Sequence, residues 1–168
     1  MSPERSDYRA DFRKLVREIV SGGQTGVDRA ALDWAIKHHL PHGGWCPKGR
    51  LAEDGTINVS YRLKETASED YLVRTQCNVV DSDGTLVLNV GVLDRGTLAT
   101  VRFARNLSKP CLVIELGREP LGTSAPHVLD WIRTLSMRKL NVAGPRESKR
   151  PGVYLATWEF LDALAASG

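Results

Sequence analysis

Short apolar runs alternate with amphipathic stretches along the chain, and the alternation predicts an α/β protein. After a loose leader at 1–8 and a short helix at 9–16, Arg17–Ser21 reads as a strand that runs into Gly22 and Gly23. From Val27 to His39 the apolar positions Ala30, Ala31, Trp34 and Ala35 recur at helical spacing. Residues 40–61 are rich in glycine, proline and charge, and read as an irregular excursion with one short strand at Gly44–Cys46. Ser68–Val80 predicts a helix with Glu69 and Asp70 in its first turn, where the helix dipole favours acids. Leu86–Asn89, Cys111–Glu115 and Leu140–Ala143 read as strands, and Thr97–Asn106, His127–Ser136 and Gly152–Ala166 as helices. Residues 17–168 are therefore expected to form one domain, a Rossmann-like doubly wound, mainly parallel sheet with helices on both faces.

Composition narrows the function more by exclusion than by pointing. The chain has 168 residues, with 23 Lys+Arg against 20 Asp+Glu and a net charge of +3. With 42% hydrophobic and 26% charged residues it is too apolar for a disordered chain. The longest apolar stretch, Leu86–Leu93, is broken by Asn89 and Gly91 and is far short of a membrane span. The first 17 residues alternate acid and base without an apolar core, so no secretory signal is expected. Cys46, Cys77 and Cys111 form no C-x-x-C pair, which points to reduced thiols and a cytoplasmic location. His38, His39, His42 and His127 lack metal-ligand spacing, and no Ser/His/Asp pattern is present, so neither a metal centre nor a catalytic set is expected. Cations and carboxylates are interleaved through the Gly-rich segments, which argues against a nucleic-acid face and for a small anionic ligand.

In folds of this kind ligands bind beyond the carboxyl ends of the strands. Ser21–Arg29 lies there, and its Gly22, Gly23 and Gly26 let backbone N–H groups approach an anion at a helix start. Gln24 and Thr25 add side-chain donors and Arg29 a bidentate cation; a plain tight turn is the alternative. Gly144–Ser148 is a second such turn, with Arg146 for an anion and Ser148 as ligand or helix cap. Gly96 and Thr97 open a helix after a strand, where Thr97 either caps the helix or bonds a phosphate. Lys48 and Arg50 stand between glycines in a loop suited to face an anion. Ser82 and Asp83 precede their strand and are the weakest of these on geometry. Asp28 and Asp83 are candidate general bases, although carboxylates in turns usually accept backbone hydrogen bonds.

Taken together, four blocks resemble the putative molybdenum carrier family: Ser21–Asp33; Gly44–Arg50 with Glu53-Asp54-Gly55; Arg74-Thr75, Asn78-Val79 and Ser82–Thr85; and Leu140–Ser148 with Pro151-Gly152. The resemblance covers about residues 17–165. It implies a Rossmann-like protein, in a wider group that includes the Lonely Guy phosphoribohydrolases, which binds molybdenum cofactor as a carried ligand. The implied contacts are Gly22, Gly23, Gln24, Thr25, Gly26, Asp28, Arg29, Lys48, Arg50, Ser82, Asp83, Gly96, Thr97, Gly144, Arg146 and Ser148. It also implies a homo-oligomer, a tetramer, that delivers its ligand to molybdoenzymes. The phosphoribohydrolases carry a catalytic Glu in the pattern P-G-G-x-G-T-x-x-E, where this chain has Thr100 after Arg95-Gly96-Thr97. That departure favours a carrier without turnover over the two alternatives, a nucleotide or phosphoribosyl hydrolase and a nucleotide-sensing binding protein.

Overall fold

A computed structural model describes residues 12–167. In chain order its elements are α1 (Phe12–Leu15), β1 (Glu18–Val20), α2 (Val27–Lys37), β2 (His42–Gly43), β3 (Trp45–Cys46), β4 (Leu51–Ala52), β5 (Gly55–Thr56), β6 (Lys64–Glu65), α3 (Tyr71–Val80), β7 (Gly84–Asn89), α4 (Arg95–Asn106), β8 (Cys111–Glu115), α5 (Leu121–Thr134), β9 (Lys139–Ala143) and α6 (Val153–Ala166). The expected leader at 1–8 and the first residues of the expected helix at 9–16 lie outside the described residues.

The main sheet has the order β2-β1-β9-β7-β8, and every pairing in it is parallel. All six residues of β7 are buried, because helices cover the sheet on both sides. Leu86 and Leu88 face a core shared with Phe12, Trp34, Ile132, Phe160 and Leu161, which brings in α1, α2, α5 and α6. The alternate residue Val87 is also fully buried, and α3 and α4 pack together on that other face.

The strand order has a simple reading. If β9 and α6 are placed ahead of β1, the strands run 3-2-1-4-5 across the sheet, the first five strands of the doubly wound order. The last strand in the chain thus occupies the place of the first. The order reverses between β9 and β7, and the crevice at that point lies where β1, β9 and β7 end.

Local differences from the sequence expectation have physical causes. Helix α3 begins at Tyr71 and not at Ser68, because the Asp70 side chain accepts from Leu72 N at 2.9 Å and serves as cap. Helix α4 begins at Arg95, because Asp94 accepts from Thr97 N at 2.8 Å; Thr97 is therefore not the cap. Helix α5 starts at Leu121, six residues before the expected start; Pro126 in its interior reads as a break, but Ser124 and Ala125 are buried and hold the turn. The expected strand at Gly44–Cys46 is β3, beside β6, and starts at Trp45; an additional short strand, β2, precedes Gly44 and pairs with β1. Among the described residues no helix is long and apolar enough to cross a membrane.

Candidate functional site

The crevice at the switch point is a cleft of about 580 Å³. Its walls come from the loops after β1, β9 and β7, from the start of α4 and from one side of α3. Gly22, Gln24, Asp28, Gly96, Thr97, Gly144 and Arg146, all expected from the sequence, line it.

Two glycines set the geometry. A Cβ on Gly22 would stand 1.5 Å from Arg74 Nη1, so only glycine admits the guanidinium. At Gly26, with φ of 78°, a Cβ would come 2.5 Å from the Pro145 carbonyl oxygen. The loops after β1 and β9 therefore touch backbone to backbone, and Val27 N donates to that carbonyl at 3.3 Å.

Arg74 projects from α3 and donates to Asp28 at 3.0 Å. Asp28 also accepts from Gln24 N at 3.3 Å. Burial pushes the Asp28 carboxyl above its usual 3.8, against the opposing pull of Arg74. Tyr71, one turn before Arg74, has its ring centroid 5.4 Å from the guanidinium carbons of both Arg74 and Arg146. The cationic lining is completed by Arg95 and Lys149, which form no ion pair among the described residues. The lining carboxylates, Asp28 and Asp94, are held by Arg74 and by the start of α4. Net positive charge thus faces the cleft.

Two orphaned atoms border the same space. Gln24 Oε1 accepts from Thr25 N at 3.0 Å and Glu53 N at 2.9 Å, which fixes the amide and leaves the buried Nε2 without an acceptor. Thr97 Oγ1 is also buried without a partner. Unsatisfied buried donors cost stability, and both belong to residues that line the cleft.

Several expected contacts lie elsewhere. Arg29 grips Asp54 with two bonds of 2.9 and 3.1 Å and gives two more to the Gly23 carbonyl, so it is spent away from the cleft. Arg50 gives its guanidinium to the carbonyls of Ile57, Asn58, Tyr61 and Leu63 and shapes the 50–63 segment. Lys48 lies off the cleft lining, in the excursion, where its backbone N donates to Ser68 O. Ser82 donates to Asn78 O at 2.7 Å, and Asp83 accepts from Arg138 N and Lys139 N, both at 2.8 Å. These two sit where β7 and β9 begin, the opposite edge of the sheet from the cleft, as their place before the strand dictates. Thr25 and Gly26 border a separate shallow recess with Arg29, Glu147 and Tyr154. Gly23 and Ser148 lie off the cleft lining, and Ser148 bonds to Glu53.

Sequence reasoning gave no role to Arg74, Tyr71, Arg95, Lys149, Asn141 or Glu53. The signal for Arg74 was its spacing: Arg74 and Asn78 are four apart on the buried side of α3, at 8% and 3% exposure. A buried polar pair on a helix face calls for partners, and Asp28 and the Trp45 backbone are those partners. Among the described residues no group of His, Cys, Asp or Glu is placed to hold a metal ion.

The comparisons with known proteins agree with the fold. Residues 19–165 match the model of the circularly permutated YpsA SLOG family, a description that accords with the displaced last strand. A crystal structure of a putative molybdenum carrier protein from Syntrophus aciditrophicus SB is 48% identical with a TM-score of 0.88, over 89% of this chain and 95% of that one. No curated protein matches the chain.

Proposed function

The chain belongs to the circularly permutated YpsA SLOG family, and from that premise we propose that it binds molybdenum cofactor in the switch-point cleft and carries it without chemical turnover. The observation that carries this reading is the cationic lining of Arg74, Arg95, Arg146 and Lys149, joined by the unpartnered donors Gln24 Nε2 and Thr97 Oγ1. A phosphorylated pterin with oxo groups offers anionic and neutral acceptors to both kinds of group. Arg146 would pair with a phosphate or oxo group, Tyr71 would flank a planar ring, and the backbone at Gly22 and Gly144 would close on anionic oxygens. The relative's name as a molybdenum carrier supports the choice of cargo. The carboxylates in the lining, Asp28 and Asp94, are engaged by Arg74 and by the start of α4, which supports binding without turnover. Delivery to a cytoplasmic molybdoenzyme by a homotetramer completes the proposal.

Calorimetry with molybdenum cofactor, molybdate and a nucleotide panel, followed by transfer to a cofactor-free molybdoenzyme, tests it. Cofactor binding with restored enzyme activity is expected. Tight nucleotide binding without cofactor binding would overturn it.

A further inference from the structure

Two glycine-rich loops converge on Glu53, a residue that belongs to neither. It stands in the turn between β4 and β5, with 20% of its side chain exposed. Thr25 donates its hydroxyl to Oε1. Because Thr25 Oγ1 itself accepts from Glu147 N at 3.2 Å, its proton is directed to Glu53. Ser148 gives its backbone N–H to Oε1 at 3.2 Å and its hydroxyl to Oε2. Arg146 Nη1 stands 3.8 Å from Oε2. Although burial opposes it, the hydrogen bonds of Ser148 and Thr25 and the charge of Arg146 hold this carboxyl below its usual 4.5.

Two hydroxyls, one amide and one guanidinium thus surround a single carboxylate. That is a donor set for an oxyanion, and the anion that fills it is supplied by the chain itself. We propose that Glu53, held in place by Thr25 and Ser148, is an internal counter-anion that competes with the carried oxyanion for Arg146, keeping the cargo releasable. The proposal rests on reading the cleft as an anion site. Arg146 is the shared element: it lines the cleft, lies beside Tyr71, and reaches Glu53 only at the outer limit of an ion pair. A partner held so loosely is exchanged for a ligand oxygen at little cost. Release follows in reverse, as the Glu53 carboxylate recovers Arg146.

The test is molybdate binding by calorimetry to the wild type, Glu53→Gln and Glu53→Ala. Glutamine keeps the volume and removes the charge, so it remains readable where alanine weakens the fold. Both variants are expected to bind molybdate about two- to five-fold more tightly than the wild type, the scale of one loose ion pair. Acetate, a free carboxylate, is expected to compete with molybdate in Glu53→Ala and to have no effect in the wild type. Equal or weaker molybdate binding in both variants would overturn the proposal and leave Glu53 a clasp between loops. Failure of the wild type to take up molybdenum cofactor would sink the carrier reading alone, since the tightening of molybdate binding is read without the cofactor.

Discussion

Arg74 Nη1 lies 3.0 Å from Asp28 Oδ2, and the two side chains, 10% and 8% exposed, form a buried ion pair at the edge of the cleft. Removing one partner leaves the other charge buried and unpaired. Arg74→Met is therefore expected to cost about 3 kcal/mol in urea unfolding. The double variant Arg74→Met/Asp28→Asn should regain most of that loss, because the uncompensated charge is then gone. A double variant no more stable than the single one would show that the pair is not the source of the cost.

The carboxylates Asp28, Glu53 and Asp54 give opposite responses to pH. Burial raises Asp28, against the pull of Arg74, so the folded state binds the proton more tightly than the unfolded chain does. Its contribution to stability is present below 3.8 and is lost as pH rises through the folded value. Glu53 is depressed by its hydrogen bonds and Arg146 in spite of burial, and Asp54 chiefly by its bonds to Arg29. Their contributions are present above 4.5 and 3.8 and are lost as pH falls through the lower folded values. Unfolding measured across about pH 3 to 7 should show Glu53→Gln flattening the acid limb and Asp28→Asn removing a decline on the other side. Identical profiles for wild type and Glu53→Gln would contradict the depressed carboxyl.

The sheet was legible because its strands are short apolar runs bounded by Gly, Pro and Asn, a pattern that needs no knowledge of the partner strand. Cys111–Glu115 is a strand with the expected limits, and β9 differs by one residue. The order β2-β1-β9-β7-β8 was not legible, because nothing local tells the final strand to sit in the middle. The same limit explains the site. Gly22, Gln24, Thr97 and Arg146 could be placed at the cleft from sequence because each lies in or just past the loop that follows a strand. Arg29 and Arg50 lie off the cleft lining, and the sequence does not show it, because a cation near glycines looks the same whether it meets a ligand or the carbonyls of its own loop. Arg74 was given no role because its partner Asp28 is 46 residues away and comes near only through the fold.

Thr97 and Thr157 each bury a hydroxyl with no partner, one at the cleft and one inside α6. Valine has nearly the same shape and no hydroxyl. Thr157→Val is expected to raise stability by about 1 kcal/mol without changing molybdate affinity. Thr97→Val should give a similar gain in the free protein and weaken molybdate binding, with Thr97→Ser preserving affinity. A Thr97→Val protein that binds molybdate as well as the wild type would remove this hydroxyl from the site.

Arg146 is half-engaged on every side: a loose pair with Glu53, a ring contact with Tyr71, and a place in the cleft lining. No part of the core depends on it. Arg146→Ala is expected to leave the melting temperature nearly unchanged and to weaken molybdate binding about ten-fold. Unchanged affinity would show that the anion sits nearer Arg95 and Lys149.

Asp83 provides the converse case, a carboxylate that the sequence places with the ligand and the fold places at the far edge. Its Oδ2 accepts from the backbone of Arg138 and Lys139, both at 2.8 Å, and Asp83 N donates to Lys139 O at 2.8 Å. It therefore pins the start of β9 against the start of β7, the two strands between which the order reverses. Asp83→Ala removes one acceptor from two amides and is expected to lose about 1–3 kcal/mol of stability. Molybdate affinity, measured below the unfolding transition, should be unchanged, because the cleft lies at the other end of these strands. A selective loss of affinity at full stability would return Asp83 to the binding site; loss of stability with intact binding fixes it as the latch of the central strand pair.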